Sequence, residues 1–368
     1  RTLASMKCLD LSGLDVRTVV LGCPTTREIA KECDEKLVGI IERDGVLPTD
    51  YLGVGGMDRI NEAIGKSAEG SLFSLFGYAA VRNACLLAGV LTGADGVVLI
   101  DDDEIFERED FLQRVRSGLS SQMEGQDVSL LAGYYYMPDG TYLLSRESEH
   151  WTVRWRKSPK MNALWRKLVD GGEGLQKTPF ALGGNLSVRR EVFEAIPFDP
   201  QATRGEDGDY IMNCMLQGVD CWFDGKLGIL HDPPPKPHRR HVTLAQDFQR
   251  FLYGRAKLAQ SGKLDDVRTL SASDFDPYPG PFLTDDLPSR IVQTATLLAL
   301  DHLAGDNEEL YQLTMNSMQR AFAAVEDIES PLGEYLAKVK QWRSDVDALK
   351  ALVEKDWAAG GSPLQAIG

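Results

Sequence analysis

The chain has 368 residues, of which 43% are apolar and 26% charged, and carries a formal net charge of −15. That length and balance suit one or two globular domains with a substantial core, and the acid excess argues against a nucleic-acid or anionic-membrane partner, since both are bound through surplus Lys and Arg. The six cysteines form no C-x-x-C pair, which predicts buried thiols in a reduced, cytoplasmic setting, and no apolar run approaches the ~18–20 residues of a membrane span. Because the chain opens on Arg1 rather than Met, a removed leader or anchor ahead of it stays open.

Val19-Val20-Leu21-Gly22-Cys23-Pro24 reads as a first buried strand ending in a proline turn. Thr25-Thr26-Arg27-Glu28 then reads as the cap of a helix running to about Asp44. Residues 45–70 are rich in Gly, with a short strand near 51–54 and a helical piece around 57–64. Apolar residues at helical spacing over 76–91 lead into Val97-Val98-Leu99-Ile100, whose density predicts a fully buried strand of the kind that is most often parallel. Strand, helix and strand at this spacing predict β–α–β units and a mixed α/β sheet with a predominantly parallel core.

Residues 128–136 read as another strand, Met137-Pro138-Asp139-Gly140 as a turn into an extended piece at 141–144, and 151–168 as helical. Pro233-Pro234-Pro235-Lys236-Pro237 interrupts all regular structure, because each proline removes a donor and restricts its predecessor. We place a boundary there, with a first domain over 1–242 and a helical C-terminal region over 243–368. The latter is predicted from long 3.6-type patterns at 290–304, 307–327 and 331–357. The Gly- and Ala-rich tail from Ala358 is expected to fray.

The most informative run is Asp101-Asp102-Asp103-Glu104, directly behind the Val97 strand. Ligands of α/β sheets collect at the carboxyl ends of strands. Carboxylates crowded there repel one another unless a cation or donor array sits among them. Their oxygens suit Mg²⁺ or Mn²⁺, which commonly share ligands with substrate phosphates. The run is thus a metal–diphosphate site or an acidic surface turn. Three later pieces carry similar alternatives. Gly183-Gly184-Asn185 offers close backbone approach and a two-sided amide, or only a tight turn. Glu206-Asp207 opens a helix, as functional carboxylates or as simple dipole capping. His231 ends an apolar strand, as a ligand or a structural histidine.

These blocks, in this order, resemble the nucleotide-sugar-dependent glycosyltransferases of GT-A fold, broadly of the family-2 type. There, too, an Arg-Asn helix, here Tyr78-Ala79-Ala80-Val81-Arg82-Asn83, precedes a strand ending in a D-x-D motif. The resemblance covers roughly residues 17–241. It implies a nucleotide-diphospho-sugar transferase with a Rossmann-like mixed sheet that moves a hexose from a nucleoside-diphosphate sugar to a hydroxyl acceptor (a sugar, a polysaccharide or a small polar molecule), with inversion as the default. It implies Asp103 and His231 as ligands of Mn²⁺ or Mg²⁺, Asp101 nearer the ribose or the metal's waters, and Asp102 among the residues that bind the nucleotide sugar. Thr25 or Arg27 would line the base and ribose, Arg82 the nucleotide, and Gly184 and Asn185 the donor sugar or acceptor. Asp207, or else Glu206, would take the acceptor's proton.

Lys236, His238, Arg239, Arg240 and His241 form a basic stretch that would close over the diphosphate or simply be solvated. One departure bears on the base. The stretch Tyr51-Leu52-Gly53-Val54-Gly55-Gly56-Met57-Asp58 lacks the acidic pair that family members use to hold it, so the nucleobase is not predicted. A retaining transferase, a nucleotidyltransferase and a non-catalytic sugar- or nucleotide-binding module are the competing readings. Self-association through the C-terminal helices is a further expectation.

Overall fold

The computed structural model of the protein describes residues 1–67, 71–145, 149–234, 240–355 and 364–367. Its strands are β1 (Thr18–Leu21), β2 (Thr49–Leu52), β3 (Gly96–Leu99), β4 (Glu104–Ile105), β5 (Gln122–Met123), β6 (Gln126–Asp127), β7 (Leu130–Tyr136), β8 (Leu175–Thr178), β9 (Leu186–Arg189), β10 (Cys221–His231) and β11 (Gln365–Ile367). Helices α1 (Thr2–Ser5), α2 (Ala30–Asp44), α3 (Val54–Ala63), α4 (Tyr78–Thr92), α5 (Phe111–Leu119), α6 (Thr152–Trp155), α7 (Lys157–Val169), α8 (Arg190–Phe193) and α9 (Glu206–Leu216) interleave with them. The chain then continues through α10 (Arg240–Ser261), α11 (Leu287–Ala304), α12 (Glu308–Glu326) and α13 (Pro331–Lys355). The mixed α/β class and the helical C-terminal region are as the sequence predicts.

β1, α2 and β2 form the expected β–α–β unit, with the two strands parallel. β11 pairs antiparallel with β2, Gln365 opposite Tyr51. This corrects the expectation of a tail that frays throughout: a free sheet edge offers unpaired N–H and C=O groups, and residues 365–367 take them up. The larger sheet runs β3-β9-β7-β10-β4, with β8 also on β10. Among the described residues of this sheet, only β7 and β10 are parallel neighbours; β3–β9, β9–β7, β10–β4 and β10–β8 are antiparallel. The predominantly parallel core is therefore corrected to a mixed one, because β9 runs back between β3 and β7. β3 is also less buried than its composition suggested. Among the described residues its only ladder partner is β9, and Leu99 alone is fully buried, with Val97 and Val98 half-buried. Its apolar density serves both faces: Val97 and Leu99 pack towards the main core, Val98 and Ile100 against the cluster around Phe111 and Val115.

The pleat sorts side chains between two layers. On β7, Leu130 and Ala132 enter the main core with Leu86, Phe193 and Ile211. Leu131, one residue out of phase, joins Phe111 and Val115 of α5 and Trp222 of β10 on the opposite face. The C-terminal helices share the main core. Trp342 of α13 meets Phe73 edge-on at 5.2 Å and donates its indole N–H to Phe193 O at 3.0 Å.

Smaller expectations shift. α2 starts at Ala30 after a 3₁₀ turn over Arg27–Ile29, without a side-chain cap. The helical pattern at 151–168 breaks at Arg156, whose φ of 50° separates α6 from α7. Residues 141–144 form no strand. Among the described residues no helix is long and apolar enough to cross a membrane, and all six cysteines are free thiols.

Candidate active site

Asp101, Asp102 and Asp103 leave the carboxyl end of β3 in a tight turn. Glu104 N donates to Asp101 O at 3.3 Å, and the Glu104 carboxylate accepts from Asp101 N at 2.9 Å. β4 then pairs with the end of β10, setting Glu104 opposite His231. This register carries Asp103 to the histidine: Oδ1 lies 3.5 Å from His231 Nε2, and Asp232 N donates to Asp103 O at 2.9 Å. Both side chains are only partly exposed, at 18% and 26%.

Arg82 projects from the first turns of α4. Its guanidinium pairs with both oxygens of Asp101, at 2.8 and 3.1 Å, and its Nε lies 3.7 Å from Glu206 Oε1. A fork that matches a carboxylate twice fixes direction as well as charge. The neighbouring Asn83 is fully buried and clamps the backbone of Phe198, donating to its O at 3.0 Å and accepting from its N at 2.7 Å. The Arg-Asn pair therefore divides its work, one residue facing the acids and the other pinning the approach to α9.

Because β9 runs antiparallel to β3 and β7, its beginning lies at the edge where those two strands end. Gly184 sits in the 3₁₀ turn just before it. A Cβ there would meet the Tyr135 hydroxyl at 2.5 Å, Asp101 Oδ2 at 2.6 Å and the Glu104 carboxylate closer still. A larger residue there would have to push these side chains aside. Gly184 N donates to the Tyr135 hydroxyl at 2.8 Å, and the Tyr135 ring stacks on His231 with centroids 4.9 Å apart. Tyr135 thus ties the acidic turn, the glycine turn and the histidine together. Sequence reasoning missed it, although the predicted strand at 128–136 placed its last residues at the ligand-bearing edge. Asn185 is fully buried, and its amide donates to Tyr134 O at 3.2 Å and Leu227 O at 2.9 Å, so it braces β7 against β10 beneath the site.

Burial shapes the acids here. Desolvation, with Asp101's charge added, pushes Glu104 up to about 9, keeping it neutral near pH 7 and compatible with two aspartates beside it. Glu206 is raised to about 7 by burial and by Asp207, against the pull of Arg82. Asp207 is more exposed than Glu206. Its Oδ1 accepts from Gly208 N at 2.7 Å, and its charge acts on Arg250 and Tyr278. The two carboxylates at the start of α9 therefore face different surroundings.

Other expected residues stand apart. Arg27 is paired with Asp58 at 2.7 and 2.8 Å over the Phe76 ring, and Thr25 is exposed beside it. Their loop follows β1, and Cys23 at its start senses the charges of Asp102 and Arg82. Asp102 is exposed, and its carbonyl accepts from the Thr2 hydroxyl at 2.7 Å. Lys236, His238 and Arg239 lie outside the described residues.

Fold and site define an α/β protein with a carboxylate–histidine pair and an Arg-bridged acid cluster on one edge of a mixed sheet. No protein-family model matches the chain, and no curated protein matches its sequence. Among solved structures it is similar to the mannosyltransferase PcManGT from Pyrobaculum calidifontis in complex with GDP-Man and Mn²⁺. Identity is 14% and the TM-score 0.42, over 97% of this chain and 82% of that one. It is also similar to GalNAc-T7 with UDP, GalNAc and Mn²⁺, at 12% identity and a TM-score of 0.37, over 80% of this chain and 53% of that one. At such identities and scores the function has to be argued from the site itself.

Proposed function

We propose that the protein is a GT-A-type glycosyltransferase that moves a hexose from a nucleoside-diphosphate sugar to a hydroxyl acceptor, in the presence of Mn²⁺ or Mg²⁺. The observation that carries this reading is the Asp103–His231 pair at 3.5 Å, set beside Arg82, Asp101 and the close-packed Gly184 turn. The pair suits such an ion, combining one carboxylate oxygen and one imidazole nitrogen. Among the described residues no group of three or more His, Cys, Asp or Glu could hold a metal. A two-residue site leaves the remaining positions to diphosphate and water, as these cations prefer. The ion's contribution when bound is to neutralise charge on the departing diphosphate.

The chain's own residues then have distinct work. Arg82, held by Asp101 and Glu206, supplies fixed positive charge next to the diphosphate. Gly184 allows the donor sugar to approach the backbone, and Asn185 keeps that floor rigid. Asp207, at the start of α9, takes the acceptor's proton. Thr25, Arg27 and Asp102 border the nucleotide from the β1 side. In this division the donor-binding residues lie within 1–242, and residues 243–368 contribute to the acceptor side of a cytoplasmic enzyme.

Thermal-shift measurements with nucleoside diphosphates test the reading. We expect stabilisation that requires Mn²⁺, about 2.7 kcal/mol at a hundredfold excess over Kd. Asp103→Ala should lose this response while keeping the fold, and a chelator should abolish transfer. Equal stabilisation with and without chelator, or an unchanged response in Asp103→Ala, would sink the proposal.

Self-association through the C-terminal helices belongs to the same reading. Val292, Leu300 and Leu303 of α11 and Leu313 of α12 are all exposed and are the side chains through which such contact would run. Light scattering should report a dimer that Leu300→Glu dissociates; a monomer at high concentration would remove this point.

A further inference from the structure

Beside the first turn of α9, on the side away from Arg82, the fold gathers cations. Arg250 of α10 lies against Gly205, the residue before α9, so closely that a Cβ there would run into the guanidinium. Gly205 also has φ +69°, a second reason for glycine at that point. Arg250 pairs with Asp247 at 2.9 Å and donates to the Tyr278 hydroxyl at 3.0 Å. Lys157, from the start of α7, reaches the same Asp247 at 2.7 and 3.0 Å. Arg204, just ahead of Gly205, donates to Gln246 Oε1 at 2.7 Å and adds its charge to this group.

Three cations thus surround one buried carboxylate, and the nearest other acid acting on Arg250 is Asp207. The surplus is positive, and it is largely withdrawn from water: the Lys157 side chain is 20% exposed and that of Arg250 15%. Burial, with Arg250 and Arg204 adding to it, pushes Lys157 down to about 8. Arg250 Nε is buried without a hydrogen-bond partner. A narrow crevice runs along Arg250, lined also by Gly205, Gly208, Asp209, Tyr253 and Tyr278.

We infer that Lys157, Arg204 and Arg250 bind a carboxylate or phosphate carried by the hydroxyl acceptor, which makes the acceptor an anionic hydroxy compound. This rests on the glycosyl-transfer reading for the acceptor's role, but not for the binding itself. The anion's contacts fix the acceptor while its hydroxyl lies towards Asp207, and two-point attachment of this kind converts binding into orientation.

The test is calorimetric titration with glucose, glucuronate and a glucose phosphate, in wild type and in Arg204→Gln. Arg204 makes one side-chain hydrogen bond, to Gln246, so this variant keeps the fold even if Arg250→Met does not. We expect at least one anionic compound to bind tenfold or more tightly than glucose, with that advantage lost in Arg204→Gln. Glucuronate and the phosphate compared with each other tell which oxyanion the site takes. Anionic compounds binding no better than glucose, or an advantage that survives Arg204→Gln, would overturn the inference. Metal-dependent nucleotide binding, measured separately, decides whether the glycosyl-transfer reading stands or falls independently of this result.

Discussion

Lys257→Met will destabilise the protein by about 3–5 kcal/mol, the usual cost of removing one partner from a buried ion network. Lys257 is fully buried in α10, 2.6 Å from Asp199 and 2.9 Å from both oxygens of Asp209 on α9. Asn213 Oδ1 accepts from it at 3.2 Å, and the rings of Tyr253 and Tyr335 lie 4.6 and 4.5 Å from the ammonium. Tyr253 also donates to Asp199 at 2.7 Å. One cation thus binds the loop before α9, α9 itself, α10 and α13.

Burial works to raise the Asp199 carboxyl, yet Lys257 carries it below its ordinary range. At Asp209 burial, reinforced by Asp199, wins over Lys257 and the carboxyl is raised. In wild type, the Asp199 contribution is therefore present above its unfolded pKa and lost as pH falls through its folded one. Without Lys257 both carboxyls are buried with no cation, and both folded values rise above ~4. The sign then reverses: their contribution is retained at low pH and lost as pH rises through those raised values. Urea denaturation at pH 5 and pH 8 should show the loss in Lys257→Met to be smaller at pH 5. Adding Asp199→Asn and Asp209→Asn should recover much of it. An unchanged midpoint at both pH values would refute the network's role.

That network marks where sequence reading stopped. The C-terminal segments show amphipathic periodicity, and Lys257 looks there like any outward lysine. Its partners lie 48 and 58 positions earlier, and no local pattern announces a contact of that range. Arg250 is the same case. What was legible had a local cause. α9 opens at Glu206 because acids favour a helix start, and β10 ends at His231 just before prolines that cannot continue a ladder. Strand direction was not legible, because antiparallel β9 carries the same apolar alternation that a parallel strand could. That one reversal puts Gly184 at the acid edge. It also explains how two blocks some 80 positions apart in sequence, the acidic turn and the glycine turn, come to touch.

Asp207→Asn should cut turnover by ~10²–10⁴-fold, the range typical of a lost general base, while donor affinity stays within about threefold. A hydroxyl is a poor nucleophile near pH 7, so single displacement needs a base within reach as the anomeric carbon opens. Asp207 lies on the Arg250 side of α9's first turn, where the acceptor would sit, whereas Glu206 is turned to Arg82 and the donor side. The two variants should therefore part company. Glu206, raised to about 7 by burial and then by Asp207, gains its charge as pH rises through that value. A new negative charge beside Arg82 weakens the hold on an anionic diphosphate. Donor affinity should then fall as pH rises from 6 to 8. Glu206→Gln, a mimic of the neutral form, should keep the tighter value throughout and lose little turnover. Calorimetry of nucleoside diphosphate with Mn²⁺ across that range, together with kcat at saturation, separates the roles. If Glu206→Gln loses turnover a hundredfold and Asp207→Asn does not, the base is Glu206. If both variants remain active, no side chain at the start of α9 takes the proton, and a retaining reaction, in which the leaving diphosphate accepts it, becomes the mechanism to test.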